Sequence, residues 1–194
     1  MQPLITLLRL TASALIMLYM PSPTSTRPHL ITSGMDAVVG HAGWYTSNVT
    51  IHTAIFADPE ILSPASDILV EREGLNEVPI PDGMGGTATQ FVNIDKTAPV
   101  VSITDVYVRS DGATVLSVTV SDLTSGPAIL DISFDRGFTW QSYSAQSGYL
   151  APEHVWSVEI NQGLAIGSPS LILARAVDVA GNMSAATAYI GAEE

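Results

Sequence analysis

The chain has 194 residues, enough for one large domain or two sandwich-sized domains. Its net charge is −12 and Lys96 is its only lysine, so it lacks the clustered cations that bind a nucleic-acid backbone, and we expect no nucleic-acid partner. It contains no cysteine, which excludes disulfide bonds, thiolate metal sites, cysteine nucleophiles and a lipid-modified cysteine anchor.

The N-terminus carries an apolar segment. Residues 10–20 are uncharged and follow Arg9, and Pro21 and Pro23 end any helix there. A stretch of this length is typical of a signal-peptide core and is short for a membrane span. We therefore predict a signal peptide or an N-terminal anchor over residues 1–25, with an artefactual start site as the third interpretation, and a linker over residues 26–42. The first two interpretations place the rest of the chain outside the cytoplasm, with membrane contact only through this segment if it is uncleaved.

A first β unit is predicted over residues 43–98. From Val49 to Ala54, apolar and polar residues alternate with the period of a half-buried strand. Residues 68–70 and 87–94 are the other strand candidates. The unit is short for a seven-stranded sandwich, so we expect it to be a reduced or incomplete one.

A second β unit is predicted over residues 99–194. Turn signals recur about every ten residues, which is typical of β-sandwiches and small barrels. The seven strand candidates are residues 100–108, 114–121, 129–134, 140–143, 155–160, 171–177 and 185–190. The predicted fold class is therefore all-β.

The two units end in similar motifs. Asp178 to Asn182 reads Asp-Val-Ala-Gly-Asn, Asp82 to Gly86 has the same Asp-x-x-Gly core, and Ile94 to Pro99 reads Ile-Asp-Lys-Thr-Ala-Pro. This pattern resembles the tandem immunoglobulin-like repeats of bacterial secreted and surface proteins, although Gly86 stands where the family usually has Asn. The resemblance implies tandem immunoglobulin-like β-sandwiches, the first of them short, and a secreted or cell-surface location.

An early aspartate precedes the late motif in each unit. Asp58 follows the first predicted strand of one unit and Asp122 follows the second predicted strand of the other, and the spacing to the late motif is longer in the second unit. We therefore predict an extra hairpin in the second unit.

Asp122 and Asp178 are candidate calcium ligands. In a sandwich, the loop after an early strand and the loop before the last strand can meet at one end, where two carboxylates and loop carbonyls could hold Ca²⁺. The alternative is that each aspartate caps its own turn, with Gly181 and Asn182 completing the second one. Asp95, at the joint between the units, belongs to the same hypothesis. We expect no other cofactor.

One segment of the second unit fits the pattern Ser-x-Asp-x-Gly-x-Thr-Trp, with Ser133, Asp135, Gly137, Thr139 and Trp140 at the defined positions. It resembles the Asp-box of sialidase-type propellers, which is structural in those proteins. The aspartate caps a tight hairpin, the glycine takes a left-handed conformation and the tryptophan packs under the turn. A propeller needs many such blades, so we predict a structural hairpin.

Three aromatic residues, Trp140, Tyr149 and Trp156, could form a sugar-stacking platform, and the alternative is that they pack in the core. The resemblance favours a non-enzymatic extracellular module that acts as a spacer, adhesion or ligand-binding unit, with a protein or glycan partner at the cell surface. The second interpretation is an accessory carbohydrate-binding module. The third is a fragment of a sialidase-like glycosidase.

Overall fold

A computed structural model describes residues 29–57, 60–81, 86–145, 152–160 and 170–190. These residues form strands and connections without a helix, so the predicted all-β class is confirmed. Nowhere in these ranges is there an apolar helix of membrane-spanning length. The chain divides into two compact units between Lys96 and Thr97, within the segment that the sequence marks as the joint.

The described part of the first unit forms two three-stranded sheets. Its strands are β1 (His29–Asp36), β2 (Trp44–Tyr45), β3 (Val49–Ala57), β4 (Glu60–Val70), β5 (Gly74–Pro81) and β6 (Thr87–Ile94). One sheet has the order β1-β3-β4 and the other the order β2-β6-β5, with β2 parallel to β6 and all other pairs antiparallel. Both sheets contribute to one core, formed by Met35, Val49, Ile51, Val70, Val78, Ile80, Val92 and Ile94.

Three strands of this unit match no strand candidate of the sequence: β1, β5 and the two-residue β2. His29–Asp36, which falls in the predicted linker, forms β1 and pairs with β3. The register shifts between Thr32 and Gly34, and such a bulge breaks the period of two that marks a strand in sequence. β5 contains Pro79 and Pro81, which argue against a central strand but are tolerated on an edge strand such as this one.

In its described residues, the second unit is a two-layer, sandwich-like fold of seven strands. They are β7 (Val100–Val108), β8 (Thr114–Ser121), β9 (Pro127–Ser133), β10 (Gln141–Ser144), β11 (Glu153–Glu159), β12 (Ser170–Asp178) and β13 (Met183–Ile190). The first and last residues of each strand lie within two residues of those of a predicted strand, so all seven strand predictions are confirmed. The sheets have the orders β11-β8-β7 and β10-β9-β12-β13, and every pair is antiparallel.

One hydrophobic core joins the two sheets of the second unit. The alternating pattern of β8 turns Leu116, Val118 and Val120 inward, where they are fully buried. Burying a side chain of this size stabilises a fold by about 1.5–3 kcal/mol, so the pattern specifies which face of the strand lies inside. The remaining members of this core are Leu130, Ile132, Trp156, Val158, Ile160, Ile172, Ala174 and Ala176.

Among the described residues, the second unit has a hairpin that the first unit lacks. In the second unit, the β9–β10 hairpin lies between β8 and β11, which pair with each other. In the first unit, β3 passes to its partner β4 through residues 58–59 alone, which lie outside the described ranges. This difference matches the longer spacing between the two aspartate motifs of the second unit.

Candidate functional site

Asp122 organises the loop that follows β8. Its Oδ1 accepts hydrogen bonds from the backbone amides of Thr124, Ser125 and Gly126, at 3.0, 2.8 and 2.7 Å. Its own amide donates to the carbonyl of Pro152 at 2.7 Å. Asp122 therefore caps its own loop, as short acidic side chains do when they bond to amides two to four residues onward.

Asp178 organises the turn between β12 and β13 in the same way. Its Oδ1 accepts from the amides of Gly181 and Asn182, at 2.6 and 2.8 Å, and its Oδ2 accepts from Nδ2 of Asn182 at 2.9 Å. Gly181 has a φ of +99°, a conformation that glycine adopts without steric cost. The residue types at positions 178, 181 and 182 are thus those that this turn geometry requires.

The Asp122 loop and the Asp178 turn meet at one end of the second unit. The amide of Val179 donates to the carbonyl of Gly126 at 2.9 Å, and the amide of Ala180 donates to Oγ of Ser125 at 3.1 Å. As a result, both carboxylates are buried, and an oxygen of Asp122 lies within 4.8 Å of an oxygen of Asp178. Since Ca²⁺ binds oxygen ligands at about 2.3–2.6 Å, two oxygens at this separation could contact one ion.

The Asp-box segment forms the hairpin between β9 and β10. Asp135 accepts from the amide of Thr139 through Oδ1 at 2.8 Å and from its hydroxyl through Oδ2 at 2.5 Å. Ser133 donates its hydroxyl to Asp135 at 2.8 Å, and the same oxygen accepts from the amide of Gly137 at 2.8 Å. The bonds from Thr139, followed by that from Ser133, lower the pKa of Asp135 to about 2. The carboxylate is therefore held ionised as part of the turn.

The tip of this hairpin requires a left-handed backbone. Arg136 and Gly137 have φ values of +63° and +91°. A Cβ atom on Gly137 would lie 3.4 Å from Cδ1 of Leu173 and 3.7 Å from Cζ2 of Trp140. Trp140 therefore packs beneath the glycine of the turn, which is the structural role that the motif assigns to it.

Trp140 also contacts a charged pair on the outer face of the four-stranded sheet. The guanidinium carbon of Arg175 lies 4.6 Å from the centroid of the Trp140 ring, a cation–π distance. Arg175 donates to Oδ2 of Asp131 through Nη2 at 2.6 Å and Nε at 3.0 Å, and Ser142 donates to the other oxygen at 2.5 Å. One face of the indole is thus occupied by a side chain of the protein itself.

The predicted aromatic platform is not assembled from these residues. Trp156 belongs to the core of the second unit, with 7% of its surface exposed, and its ring centroid lies 4.1 Å from that of His154. Tyr149 lies outside the described residues. The structure therefore separates Trp156 from the surface on which Trp140 lies, because β11 turns position 156 inward.

The first unit contains a polar group that sequence reasoning missed. His52 of β3 lies between carboxylates of both neighbouring strands, with Nδ1 at 2.8 Å from Oδ1 of Asp67 and Nε2 at 3.0 Å from Oδ2 of Asp36. The bond to Asp67, then the bond to Asp36, raises the pKa of His52 above its usual 6.5. No local spacing signals this group, because three separate strands supply its members.

The early and late aspartates of the first unit, Asp58 and Asp82, lie outside the described residues. In searches of known proteins, no protein-family model matches the chain and no curated protein resembles it.

Proposed function

We propose that the protein is a non-enzymatic extracellular module built from tandem immunoglobulin-like repeats, and that it acts as a spacer, adhesion or ligand-binding unit. The observation that carries this proposal is the strand order of the second unit. Counted from β7, the first, second and fifth strands form one sheet. The third, sixth and seventh strands are adjacent in the other sheet. This is the partition of strands A, B and E from strands C, F and G in immunoglobulin domains.

The fourth strand also fits an immunoglobulin-like arrangement. β10 extends the second sheet beside β9, the third strand, as strand C′ does in variable-type domains. In the first unit, β1, β3 and β4 correspond to strands A, B and E, and the β5–β6 hairpin corresponds to strands F and G. The first unit is then a shortened copy that lacks the C–C′ hairpin.

The chemistry of the aspartates supports a structural role. Asp122, Asp135 and Asp178 each accept several hydrogen bonds from their own turns. A catalytic carboxylate has to exchange protons or attack a substrate, whereas these groups hold connections between strands. We therefore favour a scaffold over the glycosidase interpretation, and the burial of Trp156 favours it over the carbohydrate-binding one.

Export tests the location. Residues 1–40 are fused to a phosphatase that folds only outside the cytoplasm, and we expect activity that is lost when residues 4–20 are deleted. An inactive fusion would contradict the extracellular assignment.

The folding of the second unit by itself tests the tandem arrangement. Residues 97–194, produced alone, should unfold in one cooperative transition, and an unfolded fragment would contradict the tandem arrangement.

We further propose that the second unit binds calcium between Asp122 and Asp178. The observation that favours it is the separation of their buried oxygens, which lie within 4.8 Å of each other. Two carboxylates this close repel each other, and a hard cation would offset that repulsion. The hypothesis that Asp95 is a further calcium ligand stays a prediction. A comparison of melting temperatures with calcium and with chelator tests the calcium proposal.

A further inference from the structure

β13 is an outer strand of the four-stranded sheet in the second unit. Among the described residues, β12 is the only strand hydrogen-bonded to it, through eight consecutive pairs from Val177–Met183 to Ser170–Ile190. An edge strand presents a row of backbone N–H and C=O groups on its free side, and these groups can pair with another chain.

The other edge strands of the described residues carry features that prevent such pairing. β5 contains two prolines, β4 contains Pro64 and two register shifts, and β7 contains Asp105 and one register shift. β1 has a register shift, β11 begins and ends with glutamate, and β2 and β10 have only two and four residues.

β13 has none of these protective features. It is eight residues long, and its sequence, Met-Ser-Ala-Ala-Thr-Ala-Tyr-Ile, contains no charge and no proline. Its pairing with β12 has no register shift. A long, regular and uncharged edge is the kind that adds a further strand.

The outer face of β13 also exposes large apolar side chains. Tyr189 and Met183 are 73% and 57% exposed, one near each end of the strand. On the neighbouring strand β7, Val100, Tyr107 and Val108 are exposed as well, and Ser184 of β13 donates a hydrogen bond to the carbonyl of Pro99 just before β7. The β7–β13 side of the unit thus combines a strand edge that no other described strand pairs with and exposed apolar surface.

We propose that β13 pairs antiparallel with β13 of a second copy of this chain, so that the two four-stranded sheets become one continuous sheet. The charge of the chain favours this site for self-association. Two copies with a net charge of −12 repel each other over most of their surfaces, but β13 brings no charge into the contact. A two-fold axis then makes the contact self-complementary.

The side chains select one register. If Ala186 lies opposite its own copy, Met183 of one strand lies opposite Tyr189 of the other, and the axis repeats this pair at the opposite end. Residues directly opposite in an antiparallel pair share a face, so both large side chains remain on the outer face and contact each other. The residues of the inner face that lie between Met183 and Tyr189 are small: Ser184, Ala186 and Ala188.

Sedimentation of the full chain tests the pairing. We expect twice the monomer mass at micromolar concentration for the wild type, and at least tenfold weaker association for Ala185→Lys, because the axis places two lysines close together on adjacent strands. The control is Ser157→Lys, which adds the same charge to an exposed position of β11, a strand that already carries glutamates. A monomeric wild type, or equal weakening by both variants, would overturn the proposal.

Cross-linking tests the register and does not depend on how Ala185→Lys folds. The chain has no cysteine, so the double variant Met183→Cys/Tyr189→Cys introduces the only thiols. Cysteines opposite each other in an antiparallel pair lie within disulfide range, whereas residues 183 and 189 of one strand are about 20 Å apart. We expect covalent dimers from the double variant and none from either single variant. No dimer from the double variant, or equal cross-linking by the single variants, would refute the register.

Discussion

A carboxylate oxygen of Asp122 lies within 4.8 Å of one of Asp178, although a hairpin and two further strands separate these residues along the chain. Each carboxylate caps its own connection, and hydrogen bonds between the two connections bring the caps together. The same end of the second unit thus combines two local turns with a shared pair of buried charges.

This pair predicts a calcium-dependent melting temperature. With millimolar calcium, the wild type should melt at a higher temperature than with chelator, because an ion that binds only the folded state adds about 2.7 kcal/mol at a hundredfold excess over its Kd. Asp178→Ala should abolish the calcium effect and destabilise the second unit by about 1 kcal/mol or more through the lost turn bonds. Asp105→Ala removes an exposed acid and should keep the calcium effect. An identical wild-type midpoint in both buffers would leave the two aspartates as turn caps alone.

Two glycines of the second unit both have a left-handed backbone, but they differ in the side chains around them. Gly112 and Gly137 have φ values of +87° and +91°, but a Cβ atom would have side chains within 4 Å only at Gly137, those of Leu173 and Trp140. Gly112→Ala should cost about 1 kcal/mol from the left-handed backbone. Gly137→Ala should cost no more than this, because its methyl group would lie at van der Waals contact distance from Leu173 and Trp140. Urea unfolding measures both. A larger cost at Gly137 would show that the packing beneath the Asp-box turn does not accommodate a methyl group.

The pH dependence of the first unit is expected to follow His52. Its pKa is raised in the folded state, so its contribution to stability is fully present below pH 6.5 and is lost as the pH rises through the raised value. The stability difference between wild type and His52→Gln should therefore shrink above pH 6.5. NMR titration of the imidazole measures the pKa directly, and Asp67→Asn should lower it more than Asp36→Asn does. A histidine that titrates at or below 6.5 would contradict the bridged arrangement.

The pair between Arg175 and Asp131 is expected to contribute to stability, unlike an exposed pair. Asp131 is buried and loses two charge-assisted hydrogen bonds in Arg175→Met, at an expected cost of about 1–3 kcal/mol. Arg109 bonds to Asp111 and Glu159 on the surface, and Arg109→Met should cost less than about 1 kcal/mol. Chemical unfolding of the two variants compares them. Similar costs would mean that burial of Asp131 adds nothing to its ion pair.

Local sequence determined the elements whose partners are close along the chain. The turn of Asp178 closes through amides three and four residues onward, and the turn of Asp135 closes within four residues, so their residue types and spacing suffice to predict them. The strands of the second unit follow from alternation, since burial of every second side chain imposes a period of two. Strand β1 was not predicted, because its bulge breaks that period and its stability comes from pairing with β3.

Only the tertiary structure decided which of these residues meet. The sequence groups Trp140 and Trp156 in one candidate platform, yet the pairing of β11 with β8 turns Trp156 into the core and leaves Val155 exposed. The contacts of His52 with Asp36 and Asp67, and of Asp122 with Asp178, depend on strand register and on loops that meet across the fold. The physical reason is that a strand pattern specifies which residues share a face, and it specifies the inner face only where one of the two faces is polar. Where both faces carry an apolar residue, as at Val155 and Trp156, the inner face and its neighbours are determined by pairing with strands far away in sequence.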